Sequence, residues 1–293
     1  MNRTFATTTL AVAVLSMTAC KGGAGDSVKL IPDSATAIGG VDVKGVMASK
    51  LYTDNKEMLE KGGKEGMELA KKCKVGPDTW KTVVIGADPS KGEGAVVAVI
   101  TADGIGKKET VDCLAKEAGD KATVEEDGKV IKMDDDGVAY VINDNTVAIA
   151  GKDWAAAVKD LRDGKGKNAA DGSLKDLIGR TDTGKHVWFA GKVPAEMAGQ
   201  AAPLGFTPKD VSGWLDLSSG LSVQVAVGAD DAGKVAGDLQ KQFDAMKGMA
   251  AGMVPQGVVD SVKIGDSSGA VTVEASISEA DLKGLTEKAA GML

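Results

Sequence analysis

The sequence predicts an α+β fold of two similar halves, each a mostly antiparallel sheet with helices packed on one face. Three observations carry this. Apolar runs of strand length come in pairs joined by short Gly, Asp and Asn turns, which is hairpin chemistry. Helical stretches punctuate groups of strands and do not alternate with single ones, which points to antiparallel layers and not to βα units. The order strand–helix–strand–strand–helix–hairpin–helix also occurs twice along the 293 residues. Its period of about 130–150 residues suggests a duplicated domain and not a solenoid.

Residues 1–19 read as an export signal: Arg3 and the amino terminus supply a positive start, and Phe5 to Leu15 an apolar, Thr-rich core. That run falls short of the about 20 apolar residues needed to cross a bilayer. Met17-Thr18-Ala19-Cys20 resembles the lipobox of bacterial lipoproteins, with Met where Leu is usual. The resemblance implies that Cys20 is diacylated on sulfur, cleaved and N-acylated. The alternative is an ordinary cleaved signal with an incidental Cys20. Two or more acyl chains give stable anchoring, and residues 20–27 then form a short lipid-anchored tether. Lys21, in place of Asp after the cysteine, resembles the pattern that sends enteric lipoproteins to the outer membrane.

The first half covers residues 28–167. Ala35 to Val43 has strand character, and Lys44 to Tyr52 suits a short helix. A longer helix over 54–74 places Met58, Leu59, Leu69, Ala70 and Cys73 on one face, and Gly76-Pro77 stops it. Strands over 82–87 and 95–100 flank the turn-rich segment 88–94. A helix over 107–118 turns Val111, Leu114 and Ala118 inward. Strands over 121–126, 129–133, 138–142 and 146–150 follow, then a helix over 154–162 and a Gly/Lys-rich linker over 163–168.

The second half, 168–293, echoes this order. His186 to Val193 matches Thr36 to Val43 at an offset of 150 residues. Strands over 211–217 and 221–227 match the earlier pair, and the helix over 232–253 matches that over 107–118. A hairpin over 258–277 turns at Gly265 to Gly269. Ser278 to Asp281 fits a capping box opening the last helix.

Composition narrows the function. With residues 1–19 removed, 34 Lys and Arg face 42 Asp and Glu, a net charge of −8. The two signs are well mixed, which argues against nucleic acid or anionic-lipid adsorption. Aromatic residues are 3% of the chain, too few for a base- or sugar-stacking platform. With Cys20 assigned to lipid, Cys73 and Cys113 remain as an even pair. An exported compartment oxidises thiols, so a Cys73–Cys113 disulfide is expected, with two buried free thiols as the alternative.

Catalytic motifs are near misses. Gly179 to His186 almost spells a P-loop but ends in His, and a strand follows where a helix is needed. Gly265-Asp266-Ser267-Ser268-Gly269 fits a nucleophile elbow, yet it lies between two strands. Any Ser–His–Asp set would have to use His186, the single histidine. Asp134, Asp136 and Asp144 could form a loose calcium site, but Gly137 falls too early for EF-hand spacing. Met246, Met249 and Met253 continue a stripe with Val235, Leu239 and Phe243, better read as core than as copper(I) ligands.

The expectation is therefore a non-enzymatic envelope lipoprotein without cofactor or metal. It is held to the membrane through Cys20 and binds or scaffolds an envelope protein with a sheet face or edge. A carrier of lipid or another apolar ligand between sheet and helices is the alternative, and an unrecognised enzyme a third. The segment Gly40 to Met47, a strand ending Val-Asp-Val before a short helix, resembles duplicated α+β envelope lipoproteins of uncharacterised function. That resemblance implies fold and no activity.

Overall fold

Six residues of each half decide how the two halves meet. β1 (Ala37–Asp42) and β8 (Val187–Lys192) are of equal length and pair antiparallel. Gly39 faces Phe189, its own counterpart at the 150-residue offset, so a local two-fold passes between the strands. The computed structural model describes residues 25–60, 68, 70–92, 94–133, 137–200 and 205–290.

Outward from β1 on one side lie β2 (Trp80–Ala87), β3 (Val96–Ala102), β7 (Thr146–Ala150), β6 (Gly137–Asn143), β5 (Val130–Met133) and β4 (Ala122–Glu125). Outward from β8 lie β9 (Asp210–Asp216), β10 (Leu221–Gly228), β12 (Ala270–Ile277) and β11 (Lys263–Ser267). The result is one 12-stranded antiparallel sheet running through both halves. Matching strands outward from the two-fold, β6 corresponds to β11, and β5 and β4 have no counterpart.

The short helices α1 (Val43–Ala48) and α6 (Ala195–Gln200) follow β1 and β8 at corresponding places. Asp42 caps α1 by accepting from the Gly45 amide at 3.0 Å, the N-cap arrangement typical of Asp. Ser49 separates α1 from α2 (Lys50–Glu60), accepting from the Tyr52 amide at 3.2 Å. The expected helix over 54–74 thus begins earlier. Its middle, 61–67 with 69, lies outside the described residues. Its end is helical at Ala70 to Lys72 and closes at Lys74, whose φ is 61°.

Three apolar clusters cover the sheet, and paired residues in the register show which face each occupies, because cross-strand partners point to the same side. The largest lies beneath the 3-10 turn Gly25–Leu30, α4 (Ala155–Arg162) and α5 (Lys175–Gly179). There Ile31, Val84, Val97, Val99, Val158 and Leu174 are completely or almost completely buried. A second lies on the opposite face, where Cys73, Val75 and Val111 of α3 (Lys108–Ala118) meet Ala102, Ile131, Ala139 and Val147. A third, on that same opposite face, seats α7 (Ala232–Met253) over β11 and β12 through Ala232, Ala236 and Val271. α8 (Gln256–Ser261) packs beside it on β12, and α9 (Glu279–Ala290) ends the fold.

The α+β architecture in two similar halves is therefore present, with one difference in packing. Over the outer strands of the first half, helices cover both faces, not one. The sequence of β3, Val-Val-Ala-Val-Ile-Thr-Ala, shows why: a strand buried on both sides has no polar alternation to display.

Cys73 and Cys113 are bonded, with an S–S distance of 2.04 Å and Cα atoms 5.6 Å apart. The bridge closes a loop 40 residues long in sequence separation, worth about 4 kcal/mol in the chain-entropy picture. It ties the end of the helix at Ala70–Lys72 to α3.

At the junction, glycine makes room for tryptophan. A Cβ at Gly40 would overlap the indole of Trp188, its cross-strand partner, which is 2% exposed. Gly40→Ala should therefore destabilise the fold by about 1–3 kcal/mol, as overpacking does. Chemical denaturation of the variant checks this; unchanged stability would show that the junction is loosely packed.

Candidate functional site

Side-chain alternation gives the sheet centre two unlike faces. One face is closed: Ile38, Val84, Trp188 and Ala190 are buried in the large core. The other carries Val41 on β1, Val83 and Ile85 on β2, and Val187 and Phe189 on β8. The register continues this face through Leu215 on β9, Val225 on β10 and Val273 on β12. All are apolar, yet Ile85 is 46% and Val273 36% exposed, and the others are half-buried. Phe189 lies across Gly213, where a Cβ would meet its ring atom Cζ at 2.7 Å. A smooth apolar floor results, seated between the two helical layers of that face.

Such a surface is unusual. Scattered exposed apolar residues are normal, but contiguous apolar patches mark interaction sites or ligand grooves. The opposite face of the second half shows the contrast. Gln224 and Glu274 pair there at 2.7 Å, and Ser222 and Ser276 at 3.1 Å, as a solvated sheet surface requires.

Among the described residues, no catalytic set assembles around His186, the only histidine of the sequence. His186 Nδ1 accepts from the Leu217 amide at 3.1 Å and lies 3.1 Å from Asp216 Oδ1. Burial pushes the Asp216 carboxyl up, but the Lys185 ammonium at 2.6 Å and the Ser218 groups outweigh it, holding it well below the usual carboxylate range. The same bond to Asp216 raises Lys185, whose Nζ also sits 4.9 Å from the Trp214 ring centroid. The cluster pins the ends of β8 and β9. Ser267, of the elbow-like motif, lies in β11, four strand spacings across the sheet and level with Lys192, which puts it about 28 Å from His186.

Gly179 ends α5, and a turn leads from it into β8, so the P-loop-like stretch is a helix–turn–strand connection. Asp134 and Asp136 lie outside the described residues, and Asp144 sits in the β6–β7 turn. Among the described residues no three His, Cys, Asp or Glu side chains gather in a metal-sized group. Val235 and Leu239 pack in the α7 cluster, but Met246 is 50% exposed, which corrects its assignment to the core. The apolar period outruns the sheet edge it packs against. Cys20 lies outside the described residues, as does the leader. No helix among the described residues is long and apolar enough to cross a membrane.

Two open clefts of similar size lie at opposite ends of the sheet. One, of about 760 Å³, is bordered by Gly25–Leu30 and the ends of β2, β3 and β7. The other, of about 820 Å³, is bordered by α5, Lys192 and Lys209.

No protein-family model matches the chain, and no curated protein matches it. Among solved structures, it is similar to TP0453 in crystal form III, with a TM-score of 0.54 at 9% identity. That match covers 89% of this chain and 97% of the other. Crystal form I of TP0453 matches with a TM-score of 0.53 at 10% identity, over 89% and 96%. The likeness is one of fold.

The two faces of β2 should respond differently to truncation. Val84→Ala, in the closed core, should cost about 2 kcal/mol. Ile85→Ala removes more carbon one residue away, yet should cost less than 1 kcal/mol because its site is half open to water. Denaturant titration of both variants checks this, and a larger loss at Ile85 would mean that its face is covered.

Proposed function

We propose that this chain is a lipid-anchored lipoprotein of the cell envelope, held through acylated Cys20 at the outer membrane. Its role is non-enzymatic: it binds or scaffolds another envelope protein with the apolar face of its central strands. The observation that carries this reading is the apolar row Val83, Ile85, Phe189 and Val273, in which Ile85 and Val273 are exposed and Val83 and Phe189 are half-buried. A folded chain gains nothing from exposing such a row, whereas a docking surface gains roughly 25 cal/mol for each Å² of it that is covered. The anchor adds to this, because a tether of a few residues keeps the face near membrane-bound partners at high effective concentration.

The scattering of motif residues favours binding over catalysis. Among the described residues, His186 binds the Leu217 amide while Ser267 lies at the far edge of the sheet, and the two do not converge. A carrier of lipid or another apolar ligand draws on the same face, since acyl chains suit a Val/Ile/Phe floor as well as a protein does.

Three measurements separate these readings. Cys20→Ser should release the protein from membranes into the soluble fraction; unchanged membrane retention would end the anchor. Crosslinking in the intact envelope followed by pull-down should recover a discrete protein partner, and Ile85→Glu should reduce that recovery at least tenfold. Partner-free recovery, together with lipid in the organic extract of the purified protein, would favour the carrier instead.

A further inference from the structure

The first of the described residues, Gly25, Asp26, Ser27 and Lys29, form part of the wall of the cleft of about 760 Å³. Thr82, Thr101 and Thr146 are successive partners across β2, β3 and β7, so their side chains form a row along the cleft. Leu30, Ile142 and Leu161 supply an apolar wall beside that row.

The charges lining the cleft differ in how they are engaged. Its two carboxylates are occupied, Asp42 by the Gly45 amide and Asp26 by Lys29 at 2.8 Å. Lys81 is paired with Asp103. Lys44, in contrast, is exposed and has no partner among the described residues. Arg162 is held in place: Nε donates to Asp163 at 3.0 Å and Nη1 to Glu126 at 3.3 Å, and the guanidinium lies 5.2 Å from the Tyr140 centroid. Its side chain is only 15% exposed, and Nη2 has no partner among the described residues. A fixed guanidinium edge, a free ammonium and a row of hydroxyls thus border one cavity. An arginine so pre-organised is suited to oxyanions.

We propose that this cleft binds a phosphate group, with Lys44 supplying the uncompensated charge, Arg162 a fixed Nη2 donor and Thr82, Thr101 and Thr146 hydroxyl donors. The apolar wall takes hydrocarbon adjoining the phosphate. A phospholipid headgroup and a free phosphate share this chemistry. The headgroup is the nearer source: Cys20 is five residues before Gly25, a reach of at most about 18 Å, so an anchored chain holds the cleft near the bilayer. That preference for the headgroup rests on acylation of Cys20; the site itself does not.

The test uses the full ¹⁵N-labelled chain in uncharged detergent micelles, titrated separately with inorganic phosphate and with dihexanoyl phosphatidylglycerol. Saturable amide shifts are expected at Thr82, Thr101 and Thr146, and Lys44→Gln should weaken binding about tenfold, as loss of one charge-assisted bond does. Lys44 is exposed, so its variant keeps the fold, and unchanged signal dispersion verifies that. Tighter binding of the phospholipid supports the headgroup as the source, and equal or tighter binding of inorganic phosphate supports a free one. Absence of saturable shifts at the three threonines with either probe overturns the proposal. So does binding that is unaffected by both Lys44→Gln and Arg162→Gln. Because micelles replace the membrane and the apolar face is not probed, failure here leaves the proposed docking role standing.

Discussion

The fold depends on the antiparallel pairing of β1 with β8. Five residue pairs join the halves there, from Ala37–Gly191 to Val41–Val187. Two adjacent glycines of β1 make the junction close. Gly40 lets Trp188 lie flat on the core side, and Gly39 sits beside Phe189 on the other. An aromatic ring on each face against a bare glycine strand fixes the register, since a slip of one residue would exchange the faces. Without this pairing each half would end in a long unpaired edge, a template for aggregation.

From that junction the two halves diverge in what they bury. The first adds β4 and β5, a disulfide-tied helix end and α3, and so covers both faces of its outer strands. The second stops at β11, and the described side chains of its helix α7 pack over the outer strands of one face. The apolar floor over β1, β2, β8 and β9 lies between these two coverings. Among the described residues of that face, the two apolar clusters that carry helices lie over β3, β5, β6 and β7 on one side and over β11 and β12 on the other, and the floor lies between them.

Much of the fold was legible because it is encoded locally. The turns Asp127-Gly128 and Asn143 to Asn145, the paired strands they join, and the stop at Gly76-Pro77 follow from residue chemistry. The repeat was visible at β1 and β8, where the offset of 150 residues holds through the whole strand. What was not legible depends on distant neighbours. Val83, Ile85 and Phe189 read as core in any sequence, because their exposure is decided by which helix covers which strand. Met246 continues an apolar period that the packing abandons. Arg162 and Lys44 gave no signal either, for they come together only through the adjacency of β1, β2, β3 and β7 and the return of α4.

The central claim is that the open apolar face is where a partner docks. A photoreactive side chain placed at Ile85 in the intact envelope tests it most directly, with the same group at exposed Lys152 as control. The account predicts one discrete crosslinked protein from position 85 and none from 152. Equal yields from both positions, or none from 85, would contradict it.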